Sequence, residues 1–183
     1  MKKTFQLLSE TPVHQNDYFT VLDRHYRLPD GSEHHFFVNK EVDTCCVLAL
    51  TKDRKFIAVK EFRVGPQKEM LELPAGRFEG FEDNANERIK SELLQETGYA
   101  GTFKKVGVMP TSPYSTRYIH CYYAIDCEKV SEQDLDSTEF IEVELLNIST
   151  MRSMLMNGES SSCAPGLLAW EMMKKDGYLP KNF

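Results

Sequence analysis

The chain has 183 residues, 41% of them hydrophobic, enough for one domain with its own core and a small appendage. A formal net charge of −6 argues against a nucleic-acid footprint, which needs a basic face, and no stretch approaches the roughly 20 apolar residues of a membrane-spanning helix. Five cysteines without CxxC spacing leave an odd thiol under any pairing, so reduced thiols in a cytoplasmic protein are expected. The N-terminus has Lys2 and Lys3 but no long apolar run, and no secretory leader is expected. An acidic protein can still receive a phosphorylated ligand if divalent cations bridge the two.

Residues 1–40 read as an antiparallel β appendage. Phe19, Val21 and the stretch Asp23 to Leu28 run into Leu28-Pro29-Asp30-Gly31-Ser32, a turn sequence, and on into His35-Phe36-Phe37-Val38, which predicts a hairpin. His25, His34 and His35 gather near it. Adjacent residues of a strand point to opposite faces, so His34 and His35 are not expected to share an ion. Residues 41–183 then form the main domain. Val42 to Leu50, almost continuously apolar, predicts a buried strand, and Phe56 to Phe62 its partner across the turn at Lys52-Asp53-Arg54-Lys55.

The central stretch is Glu72 to Gly98, a strand end, a glycine-punctuated loop and a short acidic helix. Pro74 ends the strand, and Gly76 permits close approach of backbone to a ligand. Asp83 or Asn84 can cap the helix and Gly98 can end it in the left-handed conformation. At about 100° per residue, Ala85, Ile89 and Leu93 form one apolar stripe; Glu96 falls on it and Glu92 just beside it. A buried ionised carboxylate must be paired or bound to metal. Glu96 also lies in the last turn, where the helix dipole disfavours negative charge by about 0.3–1 kcal/mol. Both effects ask for a cation, unless the stripe ends at Leu93 and Glu96 points into water.

Gly101 to Val108 predicts another strand, and a proline-punctuated loop, Met109 to Arg117, leads into the alternating strand Tyr118 to Ile125. By alternation His120 shares a face with Tyr118 and Tyr122, and packing is its expected role. Asp126 to Ser137, with Glu128, Glu132, Asp134 and Asp136, reads as a solvated acidic loop and a reservoir of carboxylates. Glu139 to Glu144 alternates as an outer strand. Ser149 or Thr150 caps a helix stopped by Gly158, and Pro165 to Lys175 forms the last helix, with Leu167, Leu168, Trp170 and Met172 offered to the core.

Glu72-Leu73-Pro74-Ala75-Gly76, then Glu82, then Ser91-Glu92-Leu93-Leu94-Gln95-Glu96-Thr97-Gly98-Tyr99 resembles the Nudix box. With Phe56 to Arg63 ahead of it and Glu139 to Glu144 behind, the chain is similar to the ADP-ribose and nucleotide-sugar pyrophosphatase branch of that superfamily over roughly residues 42 to 175. Departures are specific. Eight residues rather than seven separate Glu82 from the Ser91-Glu92 pair, Ser91 stands where the family has arginine, and Gln95 stands where it has the first of two glutamates. Thr116 stands where this branch often has a glutamate before an arginine.

The resemblance implies an α/β/α sandwich with a mixed sheet, and an N-terminal hairpin used in homodimers. It implies hydrolysis of a nucleoside-diphosphate-linked small molecule, such as ADP-ribose or a nucleotide sugar, to a nucleoside monophosphate and a sugar phosphate. Glu92, Glu96 and the Ala75 carbonyl would hold Mg²⁺ or Mn²⁺, at a site with one formal charge fewer than usual. Glu82 would brace the loop or hold a second metal through water. Gly76 would admit the substrate closely, and Arg63 and Arg117 would orient its phosphates. Ser91, Gln95 and Thr116 also admit an alternative: a domain that binds a nucleotide sugar without cleaving it, as a sensor or assembly module. A third is a purely structural helix that binds no cation.

Overall fold

The computed structural model describes residues 4–16, 19–80 and 84–181. The chain divides into two compact units, Met1–Asp43 with Pro110–Tyr118, and Thr44–Met109 with Ile119–Phe183.

The first unit is built on an antiparallel sheet of β1 (Gln6–Gln15), β2 (Thr20–Arg27) and β3 (Glu33–Lys40), in that order. The expected hairpin is β2 to β3. Gly31, at φ 93°, makes the turn, and Asp30 Oδ1 accepts the Ser32 N–H and hydroxyl. Leu22 and Val38 lie opposite each other and are buried. The strand before them was not foreseen. It carries Pro12, which an edge strand tolerates, and its register shifts twice, so it shows no clean alternation. The histidines serve packing and pairing: His25 and His35 stack across the strands at 4.3 Å, His35 Nδ1 lies 2.8 Å from Asp23 and His25 Nε2 3.1 Å from Glu33.

The second unit is a mixed α/β fold. Its strands are β4 (Thr44–Thr51), β5 (Phe56–Arg63), β6 (Lys68–Glu72), β7 (Ala75–Arg77), β8 (Tyr99–Pro110), β9 (Tyr118–Lys129) and β10 (Glu142–Leu146). The seven-stranded sheet runs β10-β5-β4-β9-β8, with β6 on β5 and β7 on β4. β4 pairs in parallel with β9 and antiparallel with β5 and β7. The helices are α1 (Ala85–Thr97), α2 (Ile148–Asn157) and α3 (Cys163–Lys175).

Covered on both faces, β4 is a continuous apolar run rather than an alternating one. On one face Cys46, Leu48, Leu50, Phe56, Ala58 and Tyr123 pack against Met151, Leu155, Trp170 and Met173 of α2 and α3. The other face carries α1. There Tyr122 of β9 donates its hydroxyl to Asn86 at 2.8 Å.

Three expectations are corrected. β9 continues to Lys129, because Asp126 at φ 54° takes up a register shift and Cys127 then pairs with Thr51. The α2 cap is Asn147, whose side chain accepts the Thr150 N–H at 2.9 Å, rather than Ser149 or Thr150. The buried face of α3 runs Gly166, Ala169, Trp170, Met173, and Leu168, just off that helical spacing, is 38% exposed.

Candidate active site

Helix α1 is held at both ends. Asn84 accepts the Asn86 N–H at 3.0 Å, and Gly98, at φ 76°, returns its N–H to Leu94. Its inner face presents Ile89 and Leu93 with Glu92 and Glu96, which are 7% and 5% exposed. The stripe therefore does not end at Leu93. Two carboxylates one turn apart enter the core.

The β6–β7 connection lies against them. The Ala75 N–H donates to Glu96 Oε2 at 3.1 Å. A Cβ on Gly76 would sit 2.0–2.1 Å from Glu92 Cδ, Cγ and Oε1, so the bare backbone is what lets the carboxylate in. β7 is held in turn by β4, where Cys45 faces Gly76 and its thiol donates to the Gly76 carbonyl at 3.5 Å. Arg88, one turn before Glu92, places Nε 2.7 Å from Glu92 Oε1 and donates through Nη1 to Glu79 at 2.9 Å.

A second acidic group comes from β5 and β6. Alternation puts Val59, Glu61 and Arg63 on one face of β5, and Glu72 opposite Val59 joins them. Arg63 Nε meets Glu72 Oε2 at 2.5 Å and its Nη1 meets Glu61 at 2.8 Å. Ser160 and Ser161 donate to the other Glu72 oxygen at 2.9 and 3.3 Å. Arg63 is thus anchored by two carboxylates rather than lying loose on the surface.

The electrostatics show an excess of negative charge. Burial pushes the Glu92 carboxyl up to about 7, against the pull of Arg88 and with a further push from Glu139 and Asp136. Glu96 is driven well above the usual range, first by burial and then by Glu92, and the Ala75 N–H and Arg63 only partly offset this. Glu61 is raised by burial, with Glu72 and Glu139 adding to it.

Glu139 is a carboxylate acting on this group that sequence reasoning did not single out. The expected outer strand begins only at Glu142, so Glu139 sits in the connection after β9, where its charge reaches Glu61, Glu92 and Glu96. The signal was available in the acidic run before it, read as solvated and as a reservoir of carboxylates, whereas Glu139 itself was assigned to the outer strand. That connection is fastened to the end of α1: Gly98 O accepts Val130 and Ser131 N–H, Gln95 O accepts Asp134 N–H, and the Gln133 amide donates to Glu96 O at 2.7 Å and Ile141 O at 3.1 Å. A Cβ on Gly98 would lie 2.2 Å from Ser131 O.

Of the other residues singled out, Glu82 lies outside the described residues. Arg117 belongs to the first unit, where its guanidinium pairs with Glu41 and its N–H donates to Ser115 Oγ at 3.0 Å. Thr116 uses its hydroxyl on the Glu41 backbone, accepting N–H at 2.9 Å and donating to the carbonyl at 3.0 Å. Ser91 and Gln95 bond each other at 3.2 Å on the exposed side of α1, away from the carboxylates.

Among the described residues no three His, Cys, Asp or Glu side chains form a ready metal-binding group. The donor set nevertheless fits a hard divalent cation: two buried carboxylate groups on adjacent turns, the Ala75 backbone against one of them, and Arg88 and Arg63 only partly offsetting their combined charge.

No family model matches the chain. It is 34% identical over 119 residues to an ADP-ribose pyrophosphatase of Bacillus subtilis (strain 168), covering 63% of this chain and 64% of that protein. A methanol dehydrogenase activator of Bacillus methanolicus is 29% identical over 119 residues, with 63% and 64% covered. A Caenorhabditis elegans protein named for the nudix hydrolases is 32% identical over 126 residues, with 63% and 56% covered. The chain spans less than two thirds of the length of these relatives. Among solved structures, an ADP compounds hydrolase superposes with a TM-score of 0.84 over 98% of this chain and 99% of its own; at 17% identity it establishes the shared fold.

Proposed function

We infer that this chain belongs to the Nudix superfamily and is a hydrolase that cleaves the diphosphate of ADP-ribose or a related nucleotide sugar, releasing a nucleoside monophosphate and a sugar phosphate. The observation that carries this reading is the buried Glu92–Glu96 pair, whose charge Arg88, Arg63 and the Ala75 N–H only partly offset. The names of the relatives support it.

Glu92, Glu96 and the Ala75 carbonyl would hold Mg²⁺ or Mn²⁺, which supplies neutralisation of the diphosphate and a more acidic water. The chain's own residues do the rest. Gly76 keeps the backbone close to the carboxylates. Arg63, fixed by Glu61 and Glu72, has five N–H groups in a rigid fork, of which two serve these anchors and others remain for phosphate oxygens. Glu139 takes the proton of the attacking water, the part that Thr116 cannot play, since a hydroxyl is no base near neutral pH. Glu82, outside the described residues, is a candidate to brace the loop or to hold a second metal through water. Arg117 is a candidate phosphate contact, and Arg117→Ala is expected to raise KM more than it lowers kcat.

The test is purified protein with Mg²⁺ and a panel of diphosphate compounds. Monophosphate release is expected, lost by at least about a hundredfold in Glu96→Gln and in Glu139→Gln. No turnover on any compound would overturn the enzyme reading, and metal-dependent binding without product would put a non-cleaving sensor or assembly module in its place.

A further inference from the structure

Arg88 faces two carboxylates of different character. Glu92, one turn ahead on α1, is buried, whereas the Glu79 side chain is 80% exposed. Toward Glu79 the guanidinium makes an aligned hydrogen bond through Nη1 at 2.9 Å. Toward Glu92 it makes a close contact, 2.7 Å from Nε to Oε1, but that buried N–H has no aligned acceptor among the described residues. The arginine is therefore drawn to Glu92 by charge and bonded in good geometry to Glu79. The oxygen that Arg88 contacts, Oε1, also lies against the bare Gly76 backbone, so a cation held between Glu92 and the β6–β7 connection would meet the oxygen that the guanidinium already touches.

Resting on the reading of Glu92 and Glu96 as metal ligands, we propose that Arg88 is an internal counter-ion of Glu92. It yields that carboxylate to an arriving divalent cation by settling on Glu79, and so sets how much cation the site requires. A guanidinium and a divalent cation at one carboxylate repel each other in a site of low dielectric, so the ion binds only as the arginine withdraws. The arginine moves within reach of a carboxylate it already touches. In the cation-free protein the same arginine keeps Glu92 from lying beside Glu96 without any positive partner.

The test is calorimetric titration of the full chain with Mn²⁺, substrate absent, on wild type, Arg88→Gln, Arg88→Lys, Glu79→Gln and Glu96→Gln, with circular dichroism to check folding. Removing the competitor is expected to tighten Mn²⁺ binding about tenfold in Arg88→Gln, while Arg88→Lys, which keeps the charge, stays within about threefold of wild type. Removing the alternative partner is expected to weaken binding about threefold in Glu79→Gln. The opposed signs are the signature. Unchanged or weaker binding in a folded Arg88→Gln would overturn the proposal, since a brace for Glu92 would act in that direction. Should Arg88→Gln not fold, unchanged or tighter binding in Glu79→Gln overturns it equally. No binding by wild type, or equal binding by Glu96→Gln, would instead overturn the metal-site reading beneath it.

Discussion

At the scale of single residues, the site is a contest between desolvation and compensation, and Gly76 and Glu92 show it most directly. A methyl group on Gly76 would occupy the space of the Glu92 carboxylate, so Gly76→Ala must push that side chain out of its place. Overpacking of this kind costs about 1–3 kcal/mol, and an ångström of misplacement at a reacting centre costs on the order of a hundredfold in rate. Lowered Tm and roughly that loss of kcat are expected, read by thermal unfolding and by steady-state assay. The pH dependence follows from the same burial. The folded chain holds the Glu92 proton up to about 7, whereas the unfolded chain releases it near 4.5. Over that window the folded state binds more protons, so stability without divalent ions falls as pH rises through it, and Glu96 acts in the same direction. Melting curves in chelator at about pH 5, 6, 7 and 8 should show the decline, and added Mn²⁺ should reduce it; a flat profile would contradict the raised carboxyls. Glu92 and Glu96 were legible because a carboxylate on an apolar helical stripe conflicts with its neighbours. Glu139 was not, because what it does to the site is electrostatic and depends on the fold rather than on local pattern.

At the scale of elements, helices and strands were read well where burial imposes a period, and poorly where the backbone departs from it. Helix α1 announced itself through a cap at Asp83 or Asn84, of which the structure uses Asn84, through the Ile89–Leu93 stripe and through Gly98, and β4 through an unbroken apolar run. The end of β9 was hidden, since a left-handed Asp126 lets an acidic segment continue as strand, and composition alone argued for a loop. The connection that follows carries Asp136 and Glu139 and is fastened to α1 chiefly through backbone groups, which leave no mark on residue type. Gln133 is the exception, a single amide spanning Glu96 O in the last turn of α1 and Ile141 O at the far end of the acidic excursion. Gln133→Ala removes two hydrogen bonds worth about 1 kcal/mol each. It is expected to lower kcat about tenfold with little change in KM, and to speed amide hydrogen exchange over residues 134–140 while α1 stays protected. Equal loss of protection in α1 would mean that Gln133 supports the helix rather than the placement of the loop.

At the scale of the whole molecule, the two units differ in what they bury. The sheet of β4 to β10 is covered by helices and holds nearly all of the large buried side chains, whereas the first unit exposes Leu7, Val13 and Phe37 on its strands and Phe5 and Phe19 just ahead of β1 and β2, all at 40–60%. Scattered apolar residues are ordinary on a surface, but five within one small unit, three of them on strands of eight to ten residues, are the composition of a surface that meets another protein surface. We propose that this sheet is where two copies of the chain associate. A homodimer is then expected by light scattering after gel filtration. The paired substitution Phe5→Glu and Phe37→Glu should convert it to monomer, because two new charges on the apolar patch of each copy must be desolvated without partners on association. The far-UV spectrum should be unchanged, since both side chains are 60% exposed and contribute little to the fold of one copy. The monomer separates two uses of that sheet. If activity on a nucleoside diphosphate sugar survives, association serves stability alone. If KM rises at constant Mn²⁺ affinity, the second copy completes the substrate site while the Glu92–Glu96 centre stands by itself. A wild-type chain that is monomeric at micromolar concentration would refute the proposal.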